Sequence, residues 1–189
     1  MKRRALLLAA LPLAASAAPM LKAGVFEPAQ PAPEFALKGS DGAALKLARF
    51  RGKLVLLVFG FTNCPEVCPT TLATLAQARK GLGADGSDVQ VVYVTVDPER
   101  DDLARIRQYL AAFDPSFIGG TDTPAALAAM RKRYGIVAEK VANRAGGYGM
   151  NHSSSVYLID RAGRLRAMMP YGHEAKDFVH DLQLLLASK

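Results

Sequence analysis

Cys64 and Cys68 are the only cysteines of this 189-residue chain, with Pro65, Glu66 and Val67 between them. Thiolates attack disulfides and bind soft metal ions, so two of them this close make either a redox pair or two ligands of one ion. The usual redox motif has two residues between its cysteines; three let both sulfurs converge on one side of a turn. They can also close a disulfide, since residues four apart at a loop–helix junction can reach the roughly 4.4–6.8 Å between Cα atoms that the bond needs. An inert structural disulfide, or two buried free thiols, is the plain alternative. Asn63, Pro65 and Pro69 stiffen the loop and turn it to the surface, which suits a reactive site better than core filler.

The elements around the pair decide how it is presented. Leu54 to Phe59 reads Leu-Val-Leu-Leu-Val-Phe, a continuous apolar run of the length of a strand buried on both faces. A helical pattern over about 68–80 follows, so the cysteines fall where a strand hands over to a helix N-terminus. Free backbone N–H groups and the positive end of the helix dipole lie there and favour thiolate over thiol at both positions. Further on, the pattern gives a strand at Val89–Val96, a helix at about 101–112, a short strand at Phe117-Ile118 and a helix at 124–133. Val137–Val141 is a pairing segment, Ser154–Ile159 and Leu165–Met169 form a closing hairpin around Arg161-Ala162-Gly163, and Ala175–Leu186 is a final amphipathic helix. Alternation of strand and helix predicts parallel pairs in the central sheet.

The N-terminus has the three-part layout of an export signal: Lys2-Arg3-Arg4, the apolar stretch Ala5–Ala15, then Ser16-Ala17-Ala18. The run is short of the about 20 apolar residues of a membrane span and contains Pro12, although residues 5–21 can serve as a tether if cleavage fails. Residues 19–34, with Pro28, Pro31 and Pro33, read as an irregular linker, and 35–189 as one folded domain that opens with a hairpin at Phe35–Leu37 and Ala44–Leu47. The net charge of +7 falls by three without the leader, and the remaining basic residues are scattered among acids. No nucleic-acid footprint results. Export to an oxidising, periplasmic setting drives the two thiols to a disulfide unless a reductant or a metal holds them.

The order of elements resembles a thioredoxin-like fold: α/β, a central mixed sheet flanked by helices, with an N-terminal hairpin extension. Where such reductases carry a cis-proline before the closing hairpin, this chain reads Gly149-Met150-Asn151-His152-Ser153, with His152 in a loop opposite the cysteines. Two thiolates and an imidazole suit copper, sulfur favouring Cu(I) and nitrogen Cu(II). Three segments in order, Phe59–Leu72 with its Cys-Pro-Glu-Val-Cys-Pro-Thr-Thr-Leu core, Val94–Asp101, and His152-Ser153 leading into Val156–Asp160, closely resemble the Sco/SenC family of copper chaperones. The resemblance covers the chain from about Phe35 to its end. It implies that Cys64, Cys68 and His152 ligate a copper ion, Cu(I) or Cu(II), for the copper A-bearing subunit of cytochrome c oxidase. Other copper chaperones or thiol reductases are further expected partners. The family often has an aspartate before the histidine; here Asn151 supplies no negative charge to raise ligand basicity.

Asp97 ends an apolar strand at the sheet edge where open α/β sheets place their sites. It reads either as an acid that biases thiol protonation or accompanies metal release, or as a turn residue before Pro98. Glu99, Arg100 and Asp101 read as caps of the next helix, Met150 as packing, and His173 and His180 as surface residues. Two functions fit: copper delivery, or a thiol-disulfide oxidoreductase in which one thiolate attacks a target disulfide and the other resolves the intermediate. A peroxidase-like or redox-sensing protein lacks an identifiable activating arginine beside one low-pKa cysteine, and an inert disulfide leaves both the loop and His152 without a purpose.

Overall fold

The computed structural model describes residues 20–143 and 146–188, so the 1–18 leader lies outside the described residues. Strands β1 (Gly24–Pro31), β2 (Ala36–Gly39) and β3 (Ala44–Lys46) come first. Then β4 (Leu54–Gly60), α1 (Val67–Gly81), β5 (Val89–Thr95), α2 (Leu103–Ala111), β6 (Ile118–Thr121) and α3 (Pro124–Tyr134) alternate. Strands β7 (Ala138–Ala142) and β8 (Tyr148–His152) precede β9 (Val156–Ile159), β10 (Arg164–Met169) and α4 (Ala175–Ala187).

Eight strands form one sheet in the order β1-β10-β9-β4-β5-β6-β2-β3. The apolar runs of β4 and β5 are buried along their whole length and lie side by side in parallel, as continuous β-branched and leucine-rich segments do when both faces are covered. Successive side chains of a strand point to opposite faces. Leu56, Val58 and Tyr93 accordingly pack under Leu72 and Leu75 of α1, Ile106 of α2 and Leu182 of α4. On the other face Val55, Leu57, Phe59 and Val94 meet Leu127 and Met130 of α3 together with Leu45, Leu47 and Phe50 of the N-terminal hairpin region. Thr123 caps α3, Pro124 opens it, and Gly135 ends it at φ 68°, in the left-handed region that glycine enters without strain.

Two expectations need correction. The proline-containing segment taken as an irregular linker is, from Gly24 to Pro31, an edge strand paired antiparallel with β10. Proline is tolerated at a sheet edge, where its missing N–H interrupts no ladder on the open side, and the register shifts between Val25 and Gln30, around Pro28. Upstream of it, the buried Asp181 carboxylate of α4 accepts the backbone N–H groups of Lys22 and Ala23 at 2.8 and 2.9 Å. The packed unit therefore starts well before Phe35. Second, His152 stands not in a loop but at the end of β8, which pairs with β7 in a two-stranded sheet separate from the main one.

Candidate metal centre

The cysteine loop sits over the C-terminal ends of β4 and β5. Its first turn closes with Cys64 N–H donating to the Phe61 carbonyl at 3.2 Å. The buried Asp101 carboxylate holds the base of the loop: it accepts the Thr62 N–H at 3.0 Å, the Thr62 hydroxyl at 2.6 Å and the Thr95 hydroxyl at 2.7 Å. Arg105 adds a 2.6 Å bond from its Nε to the Thr62 hydroxyl and a further bond to the Asn63 side-chain carbonyl. Sequence reasoning placed Asp101 among solvated helix caps. Its role in the loop comes from the sheet edge bringing it beside Thr62, which no local pattern announces.

Both cysteines are free thiols, Cys64 half-buried and Cys68 buried. Glu66 precedes α1 without capping it through its side chain. Instead the Cys68 N–H, in the first turn of α1, donates to Cys64 Sγ at 3.3 Å, a helix-terminal donor directed at sulfur as the strand-to-helix handover predicts. For Cys68 the prediction of thiolate character fails. Burial pushes its thiol up to about 12, outweighing the help of the Phe61 backbone. Desolvation penalises the charged form more than one helix terminus favours it.

His152 faces this buried thiol. Its Nε2 lies 3.7 Å from Cys68 Sγ, and its Nδ1 is 2.7 Å from the Ser153 carbonyl oxygen. A carbonyl only accepts, so Nδ1 carries the hydrogen and Nε2 directs its lone pair at the sulfur. Phe61 packs edge-on against the imidazole with centroids 5.7 Å apart. Burial holds His152 below its usual 6.5, keeping the ring neutral. Cys64, His152 and Met150 line one open cleft of about 270 Å³. A first-row ion with bonds of about 2.3 Å to sulfur and about 2.0 Å to nitrogen would hold those two atoms about 3.6 Å apart at an angle of roughly 115°. The Cys68–His152 pair has that separation already. Among the described residues no three His, Cys, Asp or Glu side chains are yet gathered for a metal ion; Cys64 Sγ is held toward the Cys68 amide.

Asp97 does something neither sequence reading anticipated. One carboxylate oxygen accepts from Arg100 Nε at 2.5 Å, the other from the Tyr148 hydroxyl at 2.8 Å. Arg100 also donates to the Tyr148 carbonyl at 2.9 Å and lies 3.8 Å over the Tyr148 ring, while Lys140 of β7 pairs with Glu99 at 2.6 Å. Asp97 and Arg100 thus clasp the hairpin that carries His152 to the end of β5. His173 and His180 are not brought into the cleft; they lie beside Asp177 and Asp181, at 3.3 and 2.9 Å.

A cysteine loop between a buried strand and a helix, opposite the segment entering an antiparallel closing strand, defines a thioredoxin-like protein. Its relatives are more specific than that. The SCO1/SenC family profile matches residues 26–187, and the chain belongs to this family. The copper-bound structure of Bradyrhizobium japonicum ScoI is 34% identical, with a TM-score of 0.75 over 82% of this chain and 98% of that one. The apo Sco1 protein of Thermus thermophilus, 35% identical, superimposes with a TM-score of 0.79 over 88% of this chain and 97% of the other. The mitochondrial SCO2 homolog of Mus musculus is 33% identical over 163 residues, 82% of this chain but only 62% of the relative's length.

Proposed function

We propose that this protein is an exported copper metallochaperone in which Cys64, Cys68 and His152 take up a copper ion and pass it to the copper A-bearing subunit of cytochrome c oxidase. The observation that carries the reading is the 3.7 Å approach of His152 Nε2 to Cys68 Sγ, with the tautomer fixed by Ser153. Disulfide exchange needs no imidazole aimed at the buried sulfur, whereas a metal site does. A relative of this family has been solved with copper bound, which supports copper as the ion. Loading replaces the Cys68 proton, and a side-chain adjustment brings the half-buried Cys64 sulfur onto the Cys68–His152 pair. The open cleft lets a recipient's ligands displace these donors one at a time. Residues 1–18 would direct export to the periplasm, and residues 5–21 would act as a tether where cleavage does not occur.

The reductase reading keeps a specific observation of its own: Cys64 is reachable while Cys68 lies buried behind it. Cys64 thiolate would attack a target disulfide, releasing one target thiolate, and Cys68 would then attack Cys64 sulfur, releasing the second and leaving a Cys64–Cys68 disulfide. The reduced protein separates the two readings when it is titrated with copper against a competing chelator, alongside His152→Ala, with the thiolate-to-copper charge-transfer band recorded. One tightly held copper, weakened at least a hundredfold without His152, is expected. Absent binding, or binding indifferent to His152 together with fast exchange against disulfide substrates, overturns copper delivery in favour of reduction.

A further inference from the structure

Beneath the thiol pair the Tyr93 side chain of β5 is completely buried, yet its hydroxyl makes no well-aligned hydrogen bond to any described residue. Phenylalanine would fill the same space without burying an orphan hydroxyl, which is a destabilising arrangement. The hydroxyl is not placed at random. A Cβ on Gly60 would stand 2.6 Å from the Tyr93 oxygen and 2.9 Å from Cys68 Sγ, so the two atoms crowd the same glycine. Both atoms lie within 3 Å of that one point, which makes the Cys68 sulfur a near neighbour of the orphan hydroxyl. Tyr109, whose ring centroid is 6.1 Å from that of Tyr93, also has a hydroxyl without a partner among the described residues, but none of its atoms is among those nearest Gly60.

We infer that Tyr93 is a positioning residue for the metal centre, its hydroxyl donating to Cys68 sulfur whenever that sulfur loses its proton to a metal. In the free thiol the oxygen has a poor acceptor; in the thiolate it has a strong one, and donors to a ligating cysteine sulfur tune the metal's redox properties. The inference deepens the copper reading and rests on it for the identity of the ion. Gly60 is part of the device, because any side chain there would separate the hydroxyl from the sulfur.

The experiment compares wild type, Tyr93→Phe and Tyr109→Phe in the full chain, first loaded with Cu(II) and then metal-free. Tyr93→Phe is expected to move the thiolate-to-copper band to longer wavelength and to weaken copper binding three- to tenfold without lowering the melting temperature of the metal-free protein. Metal-free, the Cys64–Cys68 couple is equilibrated with a glutathione buffer, two glutathiones supplying the two electrons and two protons that reduce the disulfide. There the reduced pair keeps its protons and Tyr93 has no thiolate to serve, so Tyr93→Phe is expected to leave that equilibrium within twofold of wild type. A shift in band and affinity that Tyr109→Phe lacks, with the metal-free couple unmoved, supports the inference. A wild-type band and affinity in Tyr93→Phe, or equal shifts in both variants, overturn it. If wild type binds no copper the delivery reading fails, and the same comparison made with Cd(II), read through its thiolate charge-transfer band, then decides the role of Tyr93.

Discussion

Gly60→Ala is the sharpest small perturbation of this site. The added methyl would lie 2.6 and 2.8 Å from the Tyr93 oxygen and ring and 2.9 Å from Cys68 Sγ, all well inside van der Waals contact. Tyr93 has little room to retreat: it is fully buried, packed beside Tyr109, on a strand buried along its length. Cys68 Sγ is the atom that moves, and its movement changes the 3.7 Å separation from His152 Nε2. Overpacking of this kind costs about 2 kcal/mol, which for a domain of this size lowers the melting temperature by about 4–8 °C. Copper affinity falls at least tenfold in a chelator competition. Adding Tyr93→Phe removes the closest contact but leaves those from the ring and the sulfur, so the double variant regains part of the stability and none of the affinity. Wild-type stability and affinity in Gly60→Ala would refute the packing argument. Full recovery of affinity in the double variant would show that the tyrosine, not displacement of the sulfur, transmits the effect.

Asp181→Ala leaves the Lys22 and Ala23 amides without their buried acceptor; two charge-assisted bonds together contribute about 3 kcal/mol, so thermal unfolding moves down by about 10 °C while copper affinity stays within twofold. A chain truncated to begin at Phe35 loses the same anchor and β1 as well, and unfolds at lower urea than Asp181→Ala. Asp97→Asn keeps one acceptor but sets an amide against Arg100, loosening the clasp on the hairpin; amide exchange in β8 quickens and copper affinity drops about fivefold, whereas unchanged exchange would show that the clasp is idle. His152, facing Cys68, Phe61 and the Ser153 carbonyl, has its folded pKa held below 6.5 by burial. The unfolded chain therefore binds this proton first, and the stability that His152 contributes to pH dependence is complete above about pH 6.5 and is lost as pH falls through the folded pKa. Urea midpoints of wild type between pH 7.5 and 5 should decline more steeply than those of His152→Gln, and parallel curves would contradict the burial argument.

The sheet was legible because its central strands announce themselves: a run such as Leu54–Phe59 has few uses other than a strand covered on both faces. Its edge was not. β1 is exposed or half-exposed at every position, so it carries no period-2 apolar signal, and its prolines read as breakers although an edge strand tolerates them. The β8 segment Tyr-Gly-Met-Asn-His likewise lacks alternation, since it pairs only with β7. The cysteine spacing and the histidine could be singled out from residue chemistry and family motifs. Asp101, Tyr93 and Gly60 could not, because each acts through a neighbour brought from another element: Thr62 for Asp101, Cys68 for Tyr93, and both Tyr93 and Cys68 for Gly60. The thiolate expectation for Cys68 failed for the complementary reason, that burial is a tertiary quantity and here outweighs the local dipole.

Under the copper reading the three donors are divided between the main sheet and a separate hairpin, which bears on how the ion would be handed on. Cys64 and Cys68 are fixed to the main sheet through β4, α1 and the Asp101 bonds, whereas His152 rides on a hairpin outside that sheet. The hairpin's polar connections to the sheet edge are the buried Asp97 carboxylate, which Tyr148 and Arg100 engage, the Arg100 bond to the Tyr148 carbonyl, and the exposed Lys140–Glu99 pair. Ion pairs of the Lys140–Glu99 kind contribute little in water, so of these connections the Asp97 clasp does most to hold the imidazole, and releasing it frees the hairpin without disturbing the cysteine loop. A recipient that engages the hairpin can withdraw the nitrogen ligand while both sulfurs stay in place, leaving a two-thiolate intermediate open to ligand exchange. Under the copper reading, a disulfide tying β8 to the sheet should thus leave affinity intact and slow transfer to an apo copper A domain, whereas unaltered transfer would place the mobile step in the cysteine loop instead.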